Sequence, residues 1–481
     1  MKDNLFRSGI LKKNFEFDLE NFFDNVMWLN FAYLNELKEQ RIISKEDSAD
    51  INKGLRRIFK EGIKGLEFEP KNEDLILHVE KNLIKDIGPK GGKLHTGRSR
   101  NDMGHTLLRM HARELCLDSI ESLANLAKAL LDLARKYKQT PFPALTHGQH
   151  AQITSFSHYI LAFIFVVNRD LERLKASFEN LNLCSQGAAA LTTSSWPINR
   201  KRIAETLAFD DVLLNSYDCV SNADCIMQYQ SSLRMATISI SRLVNDLFRG
   251  MMQEFSWFSL PDEYVQISSI MPQKRNPVVL EHLRGKLSKL TSQLDAPLLM
   301  ALKTPFEDIN DVDNDLKEIV NDTSLSFVSN VNILTEILSS LKLNENTCLE
   351  ICKKDFSAMT ELSDWLVKKH NISFREVHEV VSSMVDILSS DNKDSSQIKS
   401  QDLEKAWKKA FNKEQTFSNQ EIEEVLNPQS IIESRNTEGG TSLTQINSQI
   451  SIVRKNLDEI CSFTKGKRER IDSLRSKSLK I

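Results

Sequence analysis

Three short stretches, far apart in the chain, concentrate side chains able to hold anions and move protons. The first runs from Gly91 to Asp102 and carries Arg98, Ser99, Arg100 and Asn101 behind Gly91, Gly92 and Gly97. Glycine lets backbone approach a ligand closely. Arginines at a helix N-terminus suit a carboxylate or phosphate. Asn101 or Asp102 is expected to cap the helix that follows. The second stretch, Leu145 to Gln152, sets Thr146, His147 and Gln149 just ahead of a very apolar segment. His147 is a candidate proton-transfer group, because imidazole titrates near neutral pH. The third, Tyr264 to Pro277, holds Ser268, Ser269, Lys274, Arg275 and Asn276. Pro277 suits the first turn of a helix over 278–290, with Asn276 as its cap and Glu281 one turn inside. A lysine beside a serine lowers the cost of an alkoxide and stabilises charge developing on a substrate carboxylate. Each stretch has a plain alternative: a surface loop, a histidine held by backbone, or a phosphate-gripping loop that here lacks Walker spacing.

Glycine and proline punctuate the chain at these same places, with a dense cluster over 88–104, a break at Pro141–Pro143 and another from Pro261 to Pro277. Between the breaks, apolar residues recur with helical period over 105–137, 153–182, 225–256, 278–302 and 322–343. A helix of 30 residues extends about 45 Å, and several side by side make an elongated bundle. Strand-like alternation is scarce. The expected architecture is all-α: an N-terminal helical domain over 1–104, a central long-helix bundle over 105–350 and a C-terminal helical domain over 351–481. Ser389 to Ser400 reads as a loop. The basic stretch Thr464 to Lys480 reads as a solvated tail.

Composition removes other function classes. Among 481 residues the formal net charge is −3, which offers no bulk field for nucleic acid or an anionic membrane. No apolar run approaches the roughly 18 residues of a spanning helix, and the N-terminus shows no secretory core. A cytoplasmic setting is the default. The seven cysteines are odd in number and form no CxxC, so they read as reduced packing residues. No metal site and no cofactor are expected.

The three stretches recur together, in order, in a known family. Thr96–Gly–Arg–Ser–Arg–Asn–Asp102, Thr146–His147 with Gln149, and Ser268–Ser–Ile–Met–Pro–Gln–Lys–Arg–Asn–Pro277 resemble the signature regions of argininosuccinate lyases, within the fumarase/aspartase superfamily. Phe374–Arg–Glu–Val–His–Glu379 and Leu426–Asn–Pro–Gln–Ser430 with Gly439–Gly–Thr441 look like the same family, so the likeness spans most of the chain. The resemblance implies removal of a proton from Cβ of a succinyl group and expulsion of the nitrogen at Cα, releasing fumarate. It implies Ser268 as general base on a mobile loop, and Lys274 and Asn276 holding the dianionic intermediate. His147, paired with Glu281, would help transfer a proton or position the leaving nitrogen. Ser99, Arg100, Asn101 and Thr146 would grip the fumarate portion, with Gln149, Ser269 and Lys317 also in the substrate site. It further implies a fumarase/aspartase-like homotetramer around a twenty-helix core, each site taking one stretch from each of three subunits. The partner is a small molecule, by default argininosuccinate.

The sequence departs from the family's pattern where the amine would bind. Ile309 stands where the family has a tyrosine and Asn314 where it has a glutamine, while Lys317 is kept. Glu307, Asp308, Asp311, Asp313 and Asp315 surround them. Ile76 falls where a histidine follows the family's Glu–Asp pair, here Glu73–Asp74, with His78 two residues on. Ile267 replaces a glycine before the two serines, Arg275 a lysine, and the family's Trp–Gly–Gly–Arg–Phe start is missing. A related lyase acting on another N-succinyl amine, of the diamine-disuccinate type, is therefore the alternative. A catalytically silent structural homologue is the alternative outside enzymes.

Overall fold

The computed structural model describes residues 5–69 and 71–480. Four helices open the chain: α1 (Lys12–Asn21), α2 (Phe23–Glu39), α3 (Lys45–Glu61) and α4 (Leu75–Ile87). Ser44 and Asp74 cap the last two by accepting from Asp47 N and Leu77 N. The next helix, α5 (Arg100–Lys136), runs for 37 residues, about 55 Å at 1.5 Å per residue. A hairpin of β1 (Pro141–Thr146) and β2 (Gln149–Ser155) follows. Then come α6 (Phe156–Leu181), β3 (Leu183–Cys184), α7 (Arg200–Thr206), β4 (Asp211–Val212), α8 (Asp218–Ser221) and α9 (Asp224–Gly250). After β5 (Phe258–Ser259), a hairpin of β6 (Gln266–Ile267) and β7 (Arg275–Asn276) leads into α10 (Val278–Gln293) and α11 (Ala296–Ala301). The helix α12 (Asn314–Ser340) closes the bundle.

The helices α5, α6, α9, α10 and α12 pack on one another. Their apolar stripes form a core that includes Leu123, Leu174, Leu233, Leu287 and Phe327, all essentially inaccessible to water. One hydroxyl buried inside it is answered on both sides: Tyr229 Oη bridges Ser119 and Ser324 at 2.9 and 3.0 Å. The all-α architecture expected from periodicity is the one found.

Residues 351–480 do not share one core. A small separate core gathers α13 (Met359–His370), α14 (Phe374–Ser390) and α15 (Ser400–Phe411) around Leu366, Val380 and Leu403. The final helix, spanning Leu443–Leu479, instead packs against α5, α6 and α2 through Val453, Leu457 and Ile460. The basic stretch expected as a solvated tail is thus part of this helix. Arg468 meets Asp118 and Glu121, Arg470 meets Asp210 and Arg475 meets Glu114. Its cations answer the acidic flank of α5 and, at Asp210, the connection between α7 and β4, while the opposite edge stays in water.

Candidate active site

The first stretch is shaped by the start of α5. Gly97 has φ of +75°, and a Cβ there would meet Ser194, Trp196 and Tyr33 at 3.3 Å. Ser99, not Asn101 or Asp102, is the N-cap: its hydroxyl accepts from Asn101 N at 3.3 Å. Asp102 completes a capping box, accepting from Ser99 N at 3.0 Å. Its other oxygen accepts from Gln186 Nε2, Gly187 N and Ala189 N, each at 2.9 Å. Asp102 therefore fastens the turn to the 186–190 loop, which also receives Asn101 Nδ2 on Ala190 O at 3.1 Å. Burial pushes the Asp102 carboxyl up to about 6, although the backbone N–H groups of Ser99, Gly187 and Ala189 pull it back. Arg98 is buried behind the turn, its guanidinium 5.0 Å from the Tyr33 ring centre, and burial lowers its pKa.

In front of the turn lies a cavity of about 280 Å³. Arg100 and Asn101 line it with Asp18, Glu73, Asp74, Ile76, Asp308, Ile309, Asp313, Asn314 and Lys317. Arg100 Nη1 donates to Glu73 at 2.8 Å and Asp74 at 3.0 Å. Lys317 is buried and donates to Asn314 Oδ1 at 2.7 Å and Asp18 Oδ2 at 3.2 Å. Burial opposes its charge, but Asp18 and Asp313 outweigh that and raise its pKa. Gly104 sits inside α5 rather than in a break, because Asp313 comes too close for a side chain: a Cβ would lie 2.5 Å from Asp313 Oδ2. His78 turns away from the cavity, accepting from Glu69 N at 2.8 Å, and Ile76 takes the lining position.

The second stretch is the tip of the β1–β2 hairpin, where His147 (φ +53°) and Gly148 (φ +78°) form a two-residue turn between paired Thr146 and Gln149. Thr146, His147 and Gln149 are exposed. Arg249 reaches Gly148 O at 3.3 Å, and His150 pairs with Asp355.

The third stretch is the loop between β6 and β7. Ser268 Oγ accepts from Met271 N at 3.1 Å and Ile270 N at 3.4 Å. Lys274 N donates to Met271 O at 2.9 Å, and the Lys274 side chain faces water. Ile270 is 84 % exposed at the loop's crest. Arg275 pairs with Asp262. Asn276 lies in β7 and does not cap α10, whose N-cap is Pro277. Glu281 is exposed on the first turn of α10.

Within one chain, Arg100, Asn101 and Lys317 come together at the cavity, and Ser99 caps the helix beside it without lining it. Thr146, His147 and Gln149 stand at one hairpin tip, and Ser268, Ser269, Lys274 and Asn276 in another loop. Among the described residues no hydrogen bond or ion pair joins the three stretches, nor His147 to Glu281. The sequence reading missed Asp18, Asn14 and Phe15 as cavity residues. They lie about 300 positions before Lys317, and only the unusual carboxylate in Phe15–Glu–Phe–Asp18, on an otherwise apolar helix face, marked them.

Comparison with known proteins adds an independent line. Residues 12–291 match the lyase family, and residues 356–433 match the argininosuccinate lyase C-terminal family. The chain is 33% identical to an argininosuccinate lyase of Methanocaldococcus jannaschii, over 95% of this chain and 93% of that one. It is 35% identical to an argininosuccinate lyase of Geobacillus thermodenitrificans, over 89% of this chain and 91% of that one. Among solved structures, an EDDS lyase in complex with formate superposes with a TM-score of 0.88 at 23% identity, covering 96% and 92% of the two chains. A class II fumarase from Schistosoma mansoni superposes with a TM-score of 0.69 at 14% identity, covering 88% and 94%.

Proposed function

As a member of the argininosuccinate lyase family, the chain is, we propose, a carbon–nitrogen lyase that converts argininosuccinate to arginine and fumarate. One observation carries this reading. Arg100 and Asn101, from the stretch that would grip the succinyl carboxylates, line the same cavity as Lys317, from the segment that would bind the amine. Separated by over 200 positions, they meet around one cavity, as a two-ended substrate requires.

The chemistry is a proton abstraction followed by loss of the nitrogen. Ser268 as alkoxide takes the Cβ proton, electrons pass into the adjacent carboxylate, and the Cα–N bond then breaks as the Cα–Cβ double bond forms. The amides of Ile270 and Met271, already aimed at Ser268 Oγ, stabilise that alkoxide as an oxyanion hole would. Lys274 and Asn276 would answer the extra charge on the dianion. His147, with Glu281 beside it, would return a proton to the departing nitrogen. Three stretches from three subunits of a homotetramer would converge on each cavity, which accounts for their separation within one chain. A cytoplasmic setting belongs to the same reading; the seven cysteines are free thiols, and no helix among the described residues is long and apolar enough to cross a membrane.

The test is ultraviolet absorbance of fumarate on mixing the chain with argininosuccinate. Release supports the reading, and its absence overturns it. A second reading, elimination from another N-succinyl amine, draws on Ile309, which lines the cavity in place of the family's tyrosine. Fumarate from such an adduct but not from argininosuccinate would decide for it.

A further inference from the structure

The cavity before α5 holds more negative charge than its own cations answer. Arg100 is engaged by Glu73 and Asp74, and Lys317 by Asp18 and Asn314. Asp308 and Asp313 remain on the wall. Asp308 Oδ1 lies 3.6 Å from His105 Nε2, outside hydrogen-bond reach.

Asp313 is the more telling group. It occupies the N-cap position of α12, where an aspartate ordinarily accepts from the first-turn N–H groups, yet its side chain makes no such bond. The residue is only 8 % exposed, and its Oδ1 has no hydrogen-bond partner among the described residues. A buried carboxylate oxygen without a donor is unfavourable unless something outside the chain supplies one. Lys317 contributes a long-range field, but its N–H groups go to Asn314 and Asp18. Gly104, lacking a side chain, is what lets Asp313 lie against α5 at this wall. Ile309 is the apolar surface on the same wall.

We propose that Asp313, with Asp308 on the same wall, is the specificity-determining seat for an ammonium group carried on the amine half of the substrate. The inference rests on the lyase reading and narrows it: the chain acts on N-succinyl derivatives whose amine bears a second positive charge. An ammonium offers three donors to the unanswered oxygen. A neutral chain end leaves Asp313 buried and unpaired, and a site built around such a group rejects the analogue that lacks the partner. Arginine presents its α-ammonium to Asp313 with an α-carboxylate beside it. A diamine adduct presents only the ammonium.

The test compares N-(ω-aminobutyl)aspartate with its isostere N-pentylaspartate, which differ at the far end as ammonium and methyl. Dissociation constants are measured by calorimetry on the full-length Ser268→Ala chain, with turnover followed separately in wild type. The ammonium adduct is expected to bind at least about tenfold tighter, a difference of about 1.4 kcal/mol. Asp313→Asn should bring the two near parity, and Asp308→Asn should narrow the gap. Equal binding of the two adducts, binding of neither, or a preference untouched by Asp313→Asn overturns the seat. Should Asp313→Asn fail to fold, the preference of the unaltered cavity still decides. A clear preference without fumarate from any adduct, argininosuccinate included, would sink the lyase reading and leave the seat. Fumarate release without preference would do the reverse.

Discussion

A serine hydroxyl is a weak base at neutral pH, and whatever lowers the energy of its alkoxide decides whether it can take a proton from carbon. Ser268 has two amide donors on its oxygen before any substrate arrives. Ser268→Ala should therefore lower kcat by about 10²–10⁴-fold, the usual range for loss of a general base. KM should move little, since Ser268 grips no part of the ground state. Steady-state fumarate release measures both, and near-normal kcat would remove Ser268 from the role. Asp102 yields a prediction of another kind. Its folded-state pKa, about 6, lies above its ordinary 3.8, so the folded chain holds the proton more tightly than the unfolded one. The stability this confers is complete below pH 4 and is lost as pH rises towards 6. At about 1.4 kcal/mol per pH unit the whole effect is about 3 kcal/mol. Denaturant unfolding from pH 4 to 7 should show wild type losing stability relative to Asp102→Asn. Parallel curves would mean that the carboxyl is not raised. The sequence offered Asn101 or Asp102 as the cap, where the structure uses Ser99, and it gave no sign of the tie from Asp102 to 186–190, because nothing local marks Gln186 or Ala189 as donors. The charge surplus of the cavity was half visible in Asp308 and Asp313. Asp18 became relevant only once α1 was seen packed beside the start of α12.

Helical period made the long helices legible, because each buries a broad stripe that repeats over many turns. The hairpin over 141–155 was not legible. Pro141 and Pro143 argue against strand, its turn lacks an Asn–Gly pair, and a bulge between Ala144 and Leu145 breaks the alternation. The basic terminal helix was misread for a related reason: its charges are answered by Asp118, Glu121 and Asp210, each more than 200 positions away. Gly104 tests how closely two elements must approach. Gly104→Ala raises intrinsic helix propensity in α5, yet its methyl would press on Asp313 at 2.5 Å. Overpacking of this kind costs about 1–3 kcal/mol, more than the roughly 1 kcal/mol gained from propensity. The variant should melt lower and show a raised KM, because the wall bearing Asp313 and Lys317 is pushed outward. A thermal melt together with saturation kinetics checks both, and a higher melting point would mean that the wall yields freely.

At the scale of the whole molecule, the three stretches do not meet inside one chain, so the proposed mechanism requires assembly. Thr146 to Gln149 sit on a hairpin tip and Ser268 to Asn276 on an exposed loop, each held by its own scaffold: His150 on Asp355 for the first, Arg275 on Asp262 for the second. Such projecting segments suit insertion into a neighbouring subunit's cavity. If each site takes its histidine from one subunit and its serine from another, two inactive variants can repair each other. Ser268→Ala and His147→Asn, purified separately, should each be nearly silent. Unfolded together and refolded as a mixture, they place an intact histidine and an intact serine at the same site wherever subunit types alternate suitably. Random assembly of equal amounts in a closed symmetric oligomer gives up to roughly a quarter of wild-type sites. Recovery should follow the product of the two fractions and peak at equal mixing. If every site were built within one chain, no mixture would exceed the sum of its parents, and the mixed oligomer would be as inactive as either.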